Sequence, residues 1–177
     1  MNIESILNTV ICGDSLEIMR QLPDKCIDLV LTDPPYGIGN VWKGGGGHGW
    51  GKARQDTDER NDWDKLPTQE VFEQIFRISK EQIIWGGNYF NLPYSRGWYV
   101  WNKPERGFSL AEAELAWTSK DTVIRVFDHK RSDTGREHPT QKPIELIRWC
   151  LTKFPDSQTI LDPFLGSGTT AVAAKQL

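Results

Sequence analysis

At 177 residues, 38% hydrophobic and 25% charged, the chain has the size and composition of one globular domain built on one core. A net charge of −3 and a pI of about 5.6 argue against a strong, non-specific nucleic-acid binder but leave room for a local basic face. No apolar stretch approaches a membrane span, Met1–Ser5 lacks the start of a secretory signal, and Cys12, Cys26 and Cys150 have no metal-ligand spacing, so reduced thiols in a cytoplasmic protein are expected.

Asn8 to Asp14 reads as a short strand, and Ser15 to Leu22 as a helix with Leu16, Ile18, Met19 and Leu22 on one side. Asp14 or Ser15 is placed to cap that helix. The apolar run Ile27 to Thr32 reads as a buried strand, completing a strand–helix–strand opening that suits a parallel sheet. It runs into Asp33-Pro34-Pro35-Tyr36, where two prolines stop the strand and stiffen the backbone. A carboxylate and a ring are thereby held at the carboxyl edge of the sheet, a place to grip a flat, amine-bearing molecule. The plain alternative is a strand-to-turn exit.

From Gly37 to Leu66 periodicity disappears, and residues 44–51 are too glycine-rich to pack as an element. A mobile lid over a pocket is expected there, with a tolerated surface insertion as the alternative; no Gly-Lys-Ser or Gly-Lys-Thr marks a phosphate loop. Thr68 to Ile78 reads as a helix opened by Pro67, Glu81 to Trp85 as a strand closed by Gly86-Gly87, and Trp98 to Trp101 as another strand. Glu112 to Thr118 and Thr122 to Phe127 read as a hairpin linked by Ser119-Lys120-Asp121. Pro143 opens a helix to Phe154, Thr159 to Leu161 is a strand, and Thr169 to Leu177 is a helix after the turn Gly166-Ser167-Gly168. The best basic face is Lys120, Arg125, Lys130, Arg131, Arg136 and Lys142 with His129 and His138, although interspersed acids make a solvated loop equally reasonable.

Three motifs carry a resemblance. Asp33-Pro34-Pro35-Tyr36 resembles the catalytic motif of amino-methyltransferases that modify exocyclic nitrogens in DNA. Leu161 to Thr170 resembles that family's Asp-x-Phe-x-Gly-x-Gly loop for S-adenosyl-L-methionine, and His138 to Pro143 resembles the segment before it. Catalytic motif first and cofactor loop last is the circularly permuted order of the beta class, which methylates adenine N6 or cytosine N4. The resemblance runs from Gly13 to Leu177. It implies an α/β, Rossmann-like methyltransferase fold: one domain over 1–177, with a mixed, mostly parallel sheet and helices on both faces. Residues 119–137 are the room left for a small target-recognition segment, which implies a short or loosely specified site.

The resemblance also implies roles. Asp33 and the Pro34 carbonyl would accept from the target amine, with Pro35 leaving no competing backbone donor, and Tyr36 would stack on a flipped base. Gly166, Ser167, Gly168 and Thr169, with Asp162 and Phe164, would receive the methionine part of S-adenosyl-L-methionine, and Lys142 and His138 its carboxylate. Asp14, with Ser15, would lie near the adenine ring of the cofactor; the helix-cap role is compatible with this. Tyr89 or Phe90 would hold the other face of the base, or serve as core filler; Trp42 and Trp50 are weaker candidates. The family continues into a strand whose acid grips the ribose, and nothing follows Leu177 here, so C-terminal strands are expected to be missing. Asp at the first motif position suggests adenine, because relatives acting on cytosine more often show Ser. The expected partner is double-stranded DNA in a bacterial or phage setting, with a homodimer open and no membrane partner. Cytosine-N4 methylation and a catalytically silent DNA-binding remnant are the alternatives.

Overall fold

A computed structural model describes residues 2–37, 64–106, 111–130 and 141–177. His138, residues 131–137 and residues 38–63 of the expected lid lie outside the described residues.

Strand β1 (Ile27–Thr32) is the heart of the sheet, as the apolar Leu29-Val30-Leu31, buried on both faces, requires. It is flanked in parallel by β2 (Ser79–Trp85) and by the two-residue β6 (Ile160–Leu161). Beyond β2 the sheet turns antiparallel through β4 (Ala113–Thr118), then β3 (Trp98–Asn102), which pairs in parallel with β5 (Arg125–Asp128). The order is β5-β3-β4-β2-β1-β6, so the expected mixed sheet is observed.

Alternate residues of β1 and β2 feed two cores, one on each face. Leu29, Leu31, Ile83 and Trp85 pack under α3 (Ile144–Leu151) and α4 (Thr169–Lys175), against Leu146, Cys150 and Ala173. Val30 and Ile84 pack under α1 (Ser15–Arg20) and α2 (Gln69–Ile78), against Met19, Phe72 and Ile75. Arg20 of α1 reaches Glu70 of α2, and Arg77 bonds the carbonyls of Met19 and Leu22, tying the two helices at their surface.

Two expectations are corrected. Asn8 to Asp14 forms no strand: among the described residues β6 is the edge of the sheet, and an extended segment without a paired neighbour has nowhere to send its backbone hydrogen bonds. A short 3-10 turn, Ile3–Ile6, precedes it instead, and Val10 stays 74% exposed. The hairpin from Glu112 to Phe127 does not form either. β4 is already paired on both sides, with Trp117 opposite Trp98 and Ile84, so β5 joins the free side of β3.

Candidate active site

Because β6, β1 and β2 run parallel, their carboxyl ends lie side by side along one edge. That brings together Asp33 to Tyr36 after β1, Asp162 to Gly168 after β6, and Gly86 to Tyr89 after β2. Thr32, the last residue of β1, donates from its hydroxyl to Asp162 Oδ1 at 2.6 Å, and the Phe164 amide donates to the same oxygen at 3.0 Å. One carboxylate thus joins the end of β1, where the Asp33 turn begins, to the glycine turn.

The Asp33 carboxylate is held at both oxygens. Tyr36 donates its hydroxyl to Oδ1 at 2.6 Å, and Lys142 donates to Oδ2 at 2.6 Å. Lys142 also meets Glu114 of β4 at 2.9 Å and the Tyr36 hydroxyl at 3.2 Å. Lys103, buried just past β3, pairs with Glu114 from the other side. Lys142 therefore lies on Asp33 rather than apart from it, a meeting its motif did not suggest. Pro34 is buried and Pro35 half-buried, which fixes the turn.

Burial and counter-charge pull these groups in opposite directions. Burial disfavours the Lys142 ammonium, but Asp33, Tyr36 and Glu114 outweigh it and raise its pKa well above the usual lysine value. Burial likewise pushes Glu114 up, yet Lys142 and Lys103 win and hold it at about 2. For Tyr36 burial dominates, helped by Asp33, and its hydroxyl stays protonated far into alkali. Asp162 is raised to about 6, chiefly by burial, with its hydroxyl and amide donors opposing the rise.

Tyr36 is packed on more than one side. Tyr89 stacks on its ring at 4.9 Å between centroids, and Phe90 meets it edge-on at 6.2 Å. Gly86, left-handed at φ 69°, lies so close that a Cβ there would fall 2.1 Å from Tyr36 Cε1. In the glycine turn, Gly166 and Gly168 adopt φ 54° and 82°, and a Cβ on Gly168 would meet no protein atom within 4 Å. Ser167 and Gln141 both reach the Thr169 hydroxyl at 3.3 Å. Asp14 caps α1, accepting from the amides of Leu16 at 2.8 Å and Glu17 at 3.2 Å. Ser15, Asp162, Pro163, Leu165 and Thr170 contribute to a cavity of about 180 Å³ between the N-terminal segment and the glycine turn.

Comparisons with known proteins give the family and the fold. The family model described as DNA methylase matches residues 93–177. YubD of Escherichia coli (strain K12), named as a methylase, is 30% identical over 96% of this chain and 81% of its own length. The chain belongs to the N6/N4 DNA methylase family. Another member, the type II methyltransferase M.HinfI of Haemophilus influenzae, is 27% identical over 99% of this chain, which spans 64% of that protein. The fold matches the cytosine-N4-specific PvuII DNA methyltransferase at a TM-score of 0.55, with 15% identity, covering 93% of this chain and 76% of that one. A DNA modification methylase of Thermus thermophilus, solved with S-adenosyl-L-methionine, matches at 0.52 with 19% identity, covering 93% and 83% of the two chains.

Within this N6/N4 methylase, the residues that sequence reasoning missed are Thr32, Gly86, Lys103 and Glu114. Glu114 left one signal: it is the one charged residue of the strand Ala113–Thr118. Gly86 was legible as a strand end but not as the seat of Tyr36.

Proposed function

We propose that this chain transfers a methyl group from S-adenosyl-L-methionine to N6 of an adenine flipped out of double-stranded DNA. The observation that carries the reading is the Asp33 carboxylate. It stands at a strand end, with its side chain 29% exposed, oriented by Tyr36 and Lys142 and one residue from the Thr32–Asp162 link to the glycine turn. Each Asp33 oxygen accepts one hydrogen bond from within the protein and keeps a lone pair for a substrate amine.

An exocyclic amine is a poor nucleophile because its lone pair is delocalised into the ring. Asp33, with the Pro34 carbonyl as second acceptor, takes hydrogen bonds from the two amine hydrogens. This draws the lone pair out of conjugation and aims it. Asp33 need not take the proton first; the surplus proton of the alkylated nitrogen leaves afterwards through the carboxylate to water. Alignment and a pre-formed charge arrangement then supply most of the acceleration.

The residues present fit the cofactor. The glycine turn is open above Gly168, and the cavity beside it has polar groups from Ser15, Asp162 and Thr170 on an apolar wall. Gly166, Ser167, Gly168 and Thr169 would hold its methionine part, Phe164 would back the turn, and Asp14 and Ser15 would lie toward the adenosine. When bound, S-adenosyl-L-methionine supplies an electrophilic methyl carbon on a sulfonium.

Asp33→Ala is expected to abolish transfer of labelled methyl to DNA while leaving cofactor affinity, measured by calorimetry, within about threefold. Substantial residual methylation would refute the role of Asp33. Nucleoside analysis of the wild-type product decides between bases: N6-methyladenine supports the proposal, and N4-methylcytosine replaces it with the neighbouring chemistry.

A further inference from the structure

The contacts around Lys142 extend one layer behind the groups that would face a substrate. Three acceptors surround its ammonium: Asp33 Oδ2 at 2.6 Å, Glu114 Oε2 at 2.9 Å and the Tyr36 hydroxyl at 3.2 Å. An ammonium has three hydrogens, so its donors are fully used. The other oxygen of Glu114, Oε1, takes Lys103, whose side chain is 5% exposed and lies over the Trp101 ring. Lys103, Glu114 and Lys142 come from three places, the end of β3, the interior of β4 and the approach to α3. Two cations and two carboxylates balance in a region largely closed to water.

We infer that Glu114 is a positioning residue for methyl transfer: anchored by Lys103, it holds the Lys142 ammonium beside Asp33 so that the Asp33 carboxylate keeps its aim while an amine is bound. The inference rests on the methyl-transfer reading of Asp33. A lysine stem is long and flexible, and its ammonium is a point charge without a preferred bite. With Asp33 as its only carboxylate partner, Lys142 would close on both Asp33 oxygens and compete with the amine for them. Glu114 pulls from the side and limits Lys142 to one oxygen. Tyr36 holds the other, which fixes the plane of the carboxylate. The titratable and charged groups facing Lys142 are Asp33 and Tyr36 after β1, Glu114 on β4 and, behind Glu114, Lys103; Asp162 lies beyond Asp33 at the end of β6. From β2 it meets the uncharged Trp85 ring, at 5.7 Å.

The test is Glu114→Gln, which keeps shape and removes charge. Expected are a kcat lower by roughly tenfold to a hundredfold, as for a misplaced catalytic group, and KM for DNA and cofactor changed by less than about threefold. The alkaline limb of the kcat–pH profile should move to lower pH, because Lys142 has lost a counter-charge. Glu114→Gln combined with Lys103→Met restores charge balance and covers the case in which the single variant does not fold. The double variant should regain thermal stability but not kcat; recovery of kcat would reduce Glu114 to a counter-ion of Lys103 and overturn the inference. NMR titration of the Lys142 ammonium gives a readout independent of turnover: a lower pKa in Glu114→Gln is expected, and an unchanged one also overturns it. A wild-type chain that transfers no methyl would sink the reading of Asp33 itself. An active wild type matched by Glu114→Gln in rate and pH profile would sink only the role of Glu114.

Discussion

Gly86 presses on Tyr36 more closely than any side chain would allow. A Cβ 2.1 Å from Cε1 must drive the ring off Asp33 and Tyr89, and φ 69° adds strain of about 1–2 kcal/mol for a residue with a side chain. Gly86→Ala is therefore expected to cost about 3–5 kcal/mol of stability and to remove methyl transfer even where the chain remains folded. Gly168→Ala is the control: its φ of 82° is as strained, but nothing lies within 4 Å, so only about 1–2 kcal/mol is lost. Denaturant unfolding of both variants measures the difference, and equal losses would contradict the contact. At this scale the sequence was informative where chemistry is local. Asp33 and Tyr36 are three positions apart, and their hydrogen bond follows from one stiff turn. The partner of Lys142 lies 109 positions away, and no local pattern announces it.

Between elements, two aspartates act oppositely on the junction of β1 with β6. Asp28, early in β1, accepts from Lys80 and from the Gln158 and Thr159 amides and the Thr159 hydroxyl, clamping the turn before β6. The Lys80 contact first, with the amides and hydroxyl, holds it below the usual carboxylate range against a desolvation that opposes. Its contribution is present above the unfolded value of about 4 and is lost as acid protonates it. Asp162, at the end of β6, is raised to about 6, so the folded chain keeps that proton to higher pH than the unfolded chain. Stability should therefore fall as pH rises from about 4 to about 6, by an amount on the order of 2 kcal/mol. Asp162→Asn keeps an oxygen for the Thr32 hydroxyl and the Phe164 amide but has no charge to bury. The variant is expected to be more stable than wild type near pH 8, to lack the falling limb, and to bind cofactor less well. Melting temperature against pH checks this; an unchanged falling limb in Asp162→Asn would reject it. The long apolar strands and amphipathic helices were legible because burial on both faces, or on one stripe, writes itself into the periodicity. The partner of β5 was not, because a short link between two strands suggests a hairpin whether or not β3 already occupies that edge.

For the molecule as a whole, the site joins motifs spread from Asp33 to Thr169, so a ligand bridging them stabilises the entire fold. S-adenosyl-L-methionine at a hundred times its dissociation constant should add about 2.7 kcal/mol, roughly 5–10 °C in melting temperature for a domain of this size. Asp33→Ala should show nearly the same shift; no shift in either protein would remove the cofactor from the reading. Local sequence was enough to mark the segments that become β1, α2, β2 and α3, and the turns after β1 and β6, because those properties depend on neighbours within a few residues. It took the packed fold to show that Asn8 to Asp14 stays out of the sheet, that β5 pairs with β3, and that Lys142 lies between Asp33 and Glu114. Strand pairing and buried ion pairs are contests among distant parts of the chain for the same edge or the same charge, and only packing settles which part arrives.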